Sequence, residues 1–596
     1  MLSAIRSSTD EISGSSAVIA HAKSLVVEET PPDHRCRLPD NGWFFDFGKA
    51  AFGTVRLRVK ASRGTNLTLH LGEKLNPNGR VDRQPPGTVR YRAIPLKIAK
   101  GCHVEQIVIP ADPRNTGPAA ILMPAELFEV LPFRYAEVEP EEGPALLSCE
   151  LIRLEVSYPF DESASDFRCD DDALNRVWDL CKYSIKATSF CGIYVDGDRE
   201  RIPYEGDAYI NQLCHYGVDA EYEMARRTIE YLIDHPTWPT DWALHFLPMA
   251  WADYLYTGRN DLLRHYYEEL KTKALFELAR EDGIISTETG LVTPELLARL
   301  HLVGEPPPLR DLVDWPPGSF ADSGIGERDG YDMVPVKSLI NAFYLWNLWL
   351  LAQVAEMLGL GGEAVEIRER YEQVKIRYQQ LFFDSRRGVF LDGEDTDHAS
   401  LHANMLPAAL GLIPPGYEVS VLDFLRSRGM ACSVYGAQYL LEACYQLGAA
   451  DDALDLMTAT HDRGWLNMVK SGSTITMEAW DHPYKNNLDW NHAWGAAPAN
   501  IIPRFLVGAR PLQPGFRKAL IAPQPGRLRQ IRSTVPTIRG PIRIELSASA
   551  SKDWTLRIDS PVPSQLDLSG LCSHDRSPRD SYLELPAGTK EIKPTC

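Results

Sequence analysis

Two short stretches of this 596-residue chain concentrate the side chains that acid–base chemistry needs. The first, Tyr194 to Asp207 (YVDGDRERIPYEGD), sets Asp196, Asp198, Glu200, Glu205 and Asp207 around Arg199 and Arg201, with Tyr194 and Tyr204 interleaved. A charge run is usually a solvated face, but Gly197, Pro203 and Gly206 predict a shaped loop before a helix. There, alternating Arg and carboxylate groups can hold a polar ligand and push carboxyl pKa values apart. The second stretch is Gly472 to His482 (GSTITMEAWDH), closely followed by Asp489 to Gly495 (DWNHAWG). It gathers Glu478, Asp481 and Asp489 with Trp480, Trp490, Trp494 and His492. Aromatic faces stack on the C–H faces of pyranoses while carboxylates and imidazole bind hydroxyls, so this composition predicts a sugar site. A third loop, Asp311 to Gly318 (DLVDWPPG), repeats the acid-plus-aromatic character with Asp314 and Trp315, and divides evenly between a proline-rich structural turn and a subsite.

These loops need a scaffold that brings distant segments to one mouth. Residues up to about 160 alternate in short apolar runs (WFFDF, TVRLRVKA, TNLTLHLGEKL) broken by turns such as NPNG and QPPG, which reads as a β-sandwich. From Asp170 the period becomes helical: Leu174, Val177, Trp178, Cys181 and Ile185 form one stripe, its start marked by the acidic run Asp170, Asp171, Asp172. Roughly a dozen helical segments follow to residue 506 without a βαβ pattern, a number that suits a closed double ring of helical hairpins. From about Pro511 the chain returns to short β-like runs. The predicted fold is multidomain α + β: a β-sandwich over 1–160, an (α/α)6 barrel over 161–508 and a second β-sandwich over 509–596. The uncharged stretch Ser338 to Ala355 carries Asn341, Asn347 and Gln353 and is predicted to be a buried helix rather than a membrane span. Gly359, Gly361 and Gly362 follow a helix, not a strand, and read as a cap and turn rather than a dinucleotide loop.

Composition narrows the function. With 62 Lys+Arg against 81 Asp+Glu the formal charge is −19, which repels phosphate backbones and anionic lipid surfaces, so neither nucleic acid nor membrane is an expected partner. Eleven scattered cysteines, never spaced C-x-x-C, suggest neither a disulfide framework nor a zinc knuckle, and the fifteen histidines assemble into no metal-ligand spacing. A reducing compartment fits that pattern, and no secretory signal is visible at the start, so a cytoplasmic location is expected. Two carboxylates on separate loops at one mouth of a helical barrel are what glycoside hydrolysis requires: one protonates the leaving oxygen, the other activates water or attacks.

The motifs carry a resemblance. Asp196 through Asp207 resembles the D-C-P-x-R-E-x-x-G-W-x-G-D pattern of the bacterial-type α-L-rhamnosidases of glycoside hydrolase family 78. Thr474 to Trp480 resembles that family's T-T-x-W-E-x-W, and Asn491-His492-Ala493-Trp494-Gly495 its later N-H motif with a following Gly. FDFGKAAFGTVRLRV with GEKLNPNG, and LPFRYAEVE, resemble the jelly-roll module before the catalytic domain, and VPTIRGPIRIEL the C-terminal β-domain. The resemblance implies an inverting hydrolase of terminal α-L-rhamnosides that uses no cofactor, with Glu200 as general acid and Glu478 as general base. It makes Asp196, Asp207 and His492 ligands of rhamnose, Trp315 a stacking residue, and Tyr204 the replacement of a Trp. Arg199, Asp314 and Trp480 complete the candidate binding set. The first motif departs from the family by being one residue shorter before Arg199-Glu200 and by Gly-Asp in place of Cys-Pro; in the second, Met477 replaces Trp. The seven-residue spacing from Glu200 to Asp207 is kept. Another (α/α)6 inverting glycosidase, a phosphorylase and a non-catalytic carbohydrate-binding protein are the alternatives. The group attached to rhamnose and the oligomeric state, a homo-oligomer included, stay open.

Overall fold

In a computed structural model, the described residues are 20–141, 143–302, 309–316, 326–549, 553–571 and 582–594. The start of the chain read for a leader, together with Pro317, Gly318, Cys572 and Cys596, lies outside them. The N-terminal part is a β-sandwich organised by one long strand, Trp43–Ala61. Its first half pairs with Leu131–Pro140 and its second half with Leu146–Ser157, all antiparallel, so this strand links the other strands into one sheet. Alternation explains the core: Phe45, Val55, Leu57, Leu69, Phe133 and Val138 point inward and form a cluster belonging to this unit.

The helical middle begins where the stripe predicts. Helix Asp172–Ala187 is capped by Asp171, whose carboxylate accepts from the backbone N–H of Ala173 and Leu174, and Leu174, Val177, Trp178, Cys181 and Ile185 are buried. Asp170 instead accepts from the backbone N–H groups of Arg529 and Gln530, so the acidic run also anchors the C-terminal unit. Ser338–Met357 is a buried helix whose asparagines find backbone partners: Asn341 exchanges two hydrogen bonds with the Ile285 backbone, and Asn347 Nδ2 donates to Leu244 O. Among the described residues no helix is long and apolar enough to cross a membrane. Gly359 (φ +82°) ends this helix, with Gly359 and Leu360 N–H returning to Glu356 and Ala355 carbonyls, and Gly361–Phe382 folds back against it.

The C-terminal part stacks two sheets. One runs, in order, through Ala509–Gln513, Lys518–Ile521, Ser564–Asp567 and Tyr582–Leu585, the second and third strands parallel. The other runs through Gly588–Ile592, Trp554–Ser560, Ile542–Ala548 and Gln530–Val535 and ends on Asp166–Cys169. That last strand precedes the first barrel helix, within the range the sequence reading gives to the barrel. Its pairing covers an edge that Gln530–Val535 would otherwise expose. None of the described cysteines is in a disulfide.

Candidate active site

The loop before helix Glu205–Val218 crosses the segment that follows Glu478. Gly197 has φ +115°, and a Cβ there would stand 2.6 Å from Asn491 O, so only glycine lets the two strands of chain approach this closely. Asn491 Oδ1 then accepts from Asp198 N (2.7 Å), and Glu478 N donates to Asp489 O (3.2 Å). This crossing brings together motifs 279 residues apart in sequence: Arg199 Nη1 donates to Glu478 Oε2 at 2.5 Å, and Arg199 Nε lies 3.4 Å from Glu200 Oε1.

One guanidinium therefore bridges the two candidate carboxyls, whose surroundings differ. Glu478 is buried, with Lys485 Nζ 2.6 Å from Oε1 and Arg199 on Oε2. Burial alone would raise its pKa, but Arg199, Lys485 and His492 hold it at about 2, a fixed carboxylate. The Glu200 side chain is 36% exposed, and its Oε2 accepts from Tyr204 Oη at 2.9 Å. Tyr204 packs edge-on against Trp242, ring centroids 5.2 Å apart.

Both carboxyls line one cavity of about 650 Å³, together with Asp196, Arg199, Tyr204, Asp207, Trp315 and His492. Asp196 is buried; Oδ1 accepts from Ile202 N, and burial drives its carboxyl well above the ordinary range against the pull of Arg199 and His492. His492 Nε2 lies 2.7 Å from Asp207 Oδ1 and its Nδ1 3.6 Å from Asp489 Oδ2. Burial would lower the imidazole pKa; the two carboxylates reverse this and lift it to about 10, so the ring is a cation. Asp207 is raised by its burial, with His492 opposing.

Two residues of the candidate set stand elsewhere. Trp480 is fully buried, its Nε1–H donates to Cys432 O and its ring meets Trp465 edge-on, so it is core; Trp494 is the tryptophan of this stretch that reaches the cavity. Asp314 lies beneath the loop: its carboxylate is bound by His402 Nε2 (2.7 Å) and by Ser433 and Trp315 N–H, while Asp311 takes the lining position. Within the first motif, Glu205 is turned inward onto Thr237, and Asp198 is held by Arg90, Asn115 and Arg201. These two carboxylates are internally satisfied, which leaves Glu200 as the open one. Glu478, Asp489 and His492 bring one ligand atom each within 4.8 Å of one another. With Arg199 and Lys485 on Glu478 and a cationic imidazole, this trio is a charge-paired cluster and not a metal-ligand set.

The N-terminal sandwich supports these loops from behind. Arg90 Nη2 donates to Asp198 O (2.5 Å) and its Nε pairs with the Asp198 carboxylate; Asn115 Nδ2 donates to the same carbonyl. Glu73 accepts from Arg90 N (2.7 Å) and from Asn491 Nδ2 (3.1 Å), and burial, with Asp489 and Asp198 nearby, raises its pKa to about 8.

With this geometry in hand, the chain was compared with known proteins. The family model of the bacterial α-L-rhamnosidase six-hairpin glycosidase domain matches residues 162–506, more than half of the chain. The chain belongs to the bacterial α-L-rhamnosidase family. That family's concanavalin-like and C-terminal domain models match residues 36–143 and 508–570. An α-L-rhamnosidase of Formosa agariphila is 21% identical over 95% of this chain and 59% of its own length; one of an Alteromonas species is 21% identical over 86% and 53%. The chain thus spans little more than half the length of these curated relatives. Among solved structures, the α-L-rhamnosidase from Dictyoglumus thermophilum superposes with a TM-score of 0.73 at 15% identity, covering 96% of this chain and 64% of that one. Streptomyces avermitilis α-L-rhamnosidase complexed with L-rhamnose gives 0.70 at 16%, covering 96% and 54%. At these identities the likeness shows a rhamnosidase fold alone.

Sequence reasoning missed Lys485, Trp238, Trp242, Arg310 and Arg328. Lys485 lies between the two halves of the second motif, and a lysine among Asp481, Asp489 and Glu478 was a visible signal. Trp238 and Trp242 flank a proline in WPTDW, the same aromatic-loop signature that drew attention to Trp315. Arg310, whose guanidinium lies 4.2 Å from the Trp238 ring centroid, and Arg328, which donates to Asp314 O, carried no local signal.

Proposed function

We propose that this member of the rhamnosidase family hydrolyses terminal α-L-rhamnosides with inversion at the anomeric carbon. The observation that carries the reading is the pair Glu200 and Glu478 on one cavity, bridged by Arg199 and held in unlike surroundings. Glu200, partly open, protonates the glycosidic oxygen as its bond to C1 breaks. Glu478, kept ionised, takes a proton from the water whose oxygen attacks C1 from the opposite face. One water is consumed, the aglycone leaves as its alcohol, and the proton gained by Glu478 returns through solvent to restore Glu200. Asp196, Arg199, Asp207 and His492 are the hydrogen-bonding groups for sugar hydroxyls, and Trp315 and Trp494 offer apolar walls. The relatives named α-L-rhamnosidase, and a solved one holding L-rhamnose, support the choice of sugar.

Proton NMR during the first minutes of hydrolysis of an aryl α-L-rhamnoside tests this reading. The β anomer of L-rhamnose should appear before mutarotation, whereas initial α-rhamnose would make Glu478 a nucleophile. Glu478→Gln should lower kcat/KM by about 10²–10⁴-fold on every rhamnoside, while Glu200→Gln should do so only where the leaving group needs a proton.

A further inference from the structure

Lys485 lies outside both quoted motifs, yet it is buried in contact with the base. Its Nζ stands 2.6 Å from Glu478 Oε1 and 3.1 Å from the centroid of the Trp315 ring. Arg199 holds the other oxygen at 2.5 Å. Each oxygen of Glu478 therefore carries one cation and keeps one lone-pair direction for a further partner. An ammonium is costly to bury, and an apolar side chain would fill the space beside Trp315 without that cost, so packing alone does not account for the charge. The other titratable groups around Glu478 are His492, Asp207, Asp489 and the fully buried Glu327.

We infer, resting on the reading of Glu478 as general base, that Lys485 is a positioning residue. It fixes the carboxylate from the Oε1 side and keeps it ionised, and it ties the base loop to the Trp315 wall of the sugar site. Without Lys485, Glu478 loses the cation on Oε1 and keeps only Arg199 and His492 against the cost of its burial. Its pKa then rises from about 2 toward the ordinary carboxyl range. A base works only when deprotonated, so a raised pKa moves the acid limb of the kcat/KM profile to higher pH.

The experiment compares pH profiles of the full chain and its Lys485→Met and Lys485→Arg variants on an aryl α-L-rhamnoside. Lys485→Met should move the acid limb up by about one pH unit or more, with kcat reduced more than KM is raised, and Lys485→Arg should restore the limb. A Lys485→Met enzyme with the wild-type limb and only a raised KM would overturn the inference and leave Lys485 a prop for Trp315. If Lys485→Met does not fold, Lys485→Gln, which keeps a donor without the charge, should give the same shift. Wild-type inactivity on rhamnosides would count against the proposed function instead. Lys485 would then be tested by carboxyl ¹³C NMR titration of Glu478, where an unchanged titration in the variant overturns the inference.

Discussion

The two β-sandwiches meet the barrel in different ways. The C-terminal one shares the barrel's hydrophobic core: Ile531, Ile544, Leu546 and Leu556 belong to the same cluster as Phe167, Leu174 and Trp178. The N-terminal one keeps its own core and touches the barrel through a smaller cluster in which Phe52 stacks on Phe190 at 3.7 Å, beside Ile193, Val195 and Ile475. Those last residues are the roots of the two site loops, and the polar side chains of Arg90, Glu73 and Asn115 reach the same loops. Neither sandwich lines the cavity among the described residues. A shared core couples a domain to stability, whereas contacts at loop roots couple a domain to geometry.

The largest expected effect breaks this comparison if it fails. Phe190→Ala should cost about 3–5 kcal/mol and lower kcat together, because the lost stacking lies under the Glu200 loop; Ile544→Ala should cost about 2–5 kcal/mol and leave kcat of the folded fraction unchanged. Denaturant unfolding alongside active-site-normalised rates checks both, and a kcat loss in the C-terminal variant would erase the distinction. Arg90→Lys keeps the charge but not the fork on Asp198, so kcat should fall by about 10–10²-fold with little change in melting temperature.

A pH test sharpens the point for the charge cluster beneath the N-terminal sandwich. The folded-state pKa of His492 is raised to about 10, so its stabilisation is complete below the unfolded value of 6.5 and is lost as pH rises to 10, by up to about 1.4 kcal/mol per pH unit. Glu478, depressed to about 2, acts oppositely: its stabilisation is present above 4.5 and is lost as pH falls toward 2. His492→Gln should flatten the alkaline decline and, by removing one of the cations that keep Glu478 ionised, also weaken the acid one. The smallest effect is expected of Trp480→Phe, whose ring lies in the core and outside the cavity lining. It removes one hydrogen bond to Cys432 O, worth about 0.5–1.5 kcal/mol, and should not move KM.

Several elements were legible in the sequence because one periodicity governs them. The stripe from Leu174 to Ile185 is buried as its spacing predicts, and the uncharged Ser338 helix is core because its two asparagines find backbone partners. Strand Asp166–Cys169 was not legible as part of the C-terminal sheet, since its partner Gln530–Val535 lies more than 350 residues away.

The sequence by itself determined the chemistry available: a carboxylate and an arginine side by side in Arg199-Glu200, the spacing to Asp207, and Glu478 among aromatics near His492. Local order dictates which groups stand within a few residues of each other, and that suffices to recognise two halves of a sugar site. Only the tertiary structure decided which group of each half faces the cavity. On irregular loops no period assigns a face, and distant hydrogen-bond partners choose it: His402 and Ser433 draw Asp314 inward, Cys432 holds Trp480, Thr237 binds Glu205, and Arg90 takes Asp198.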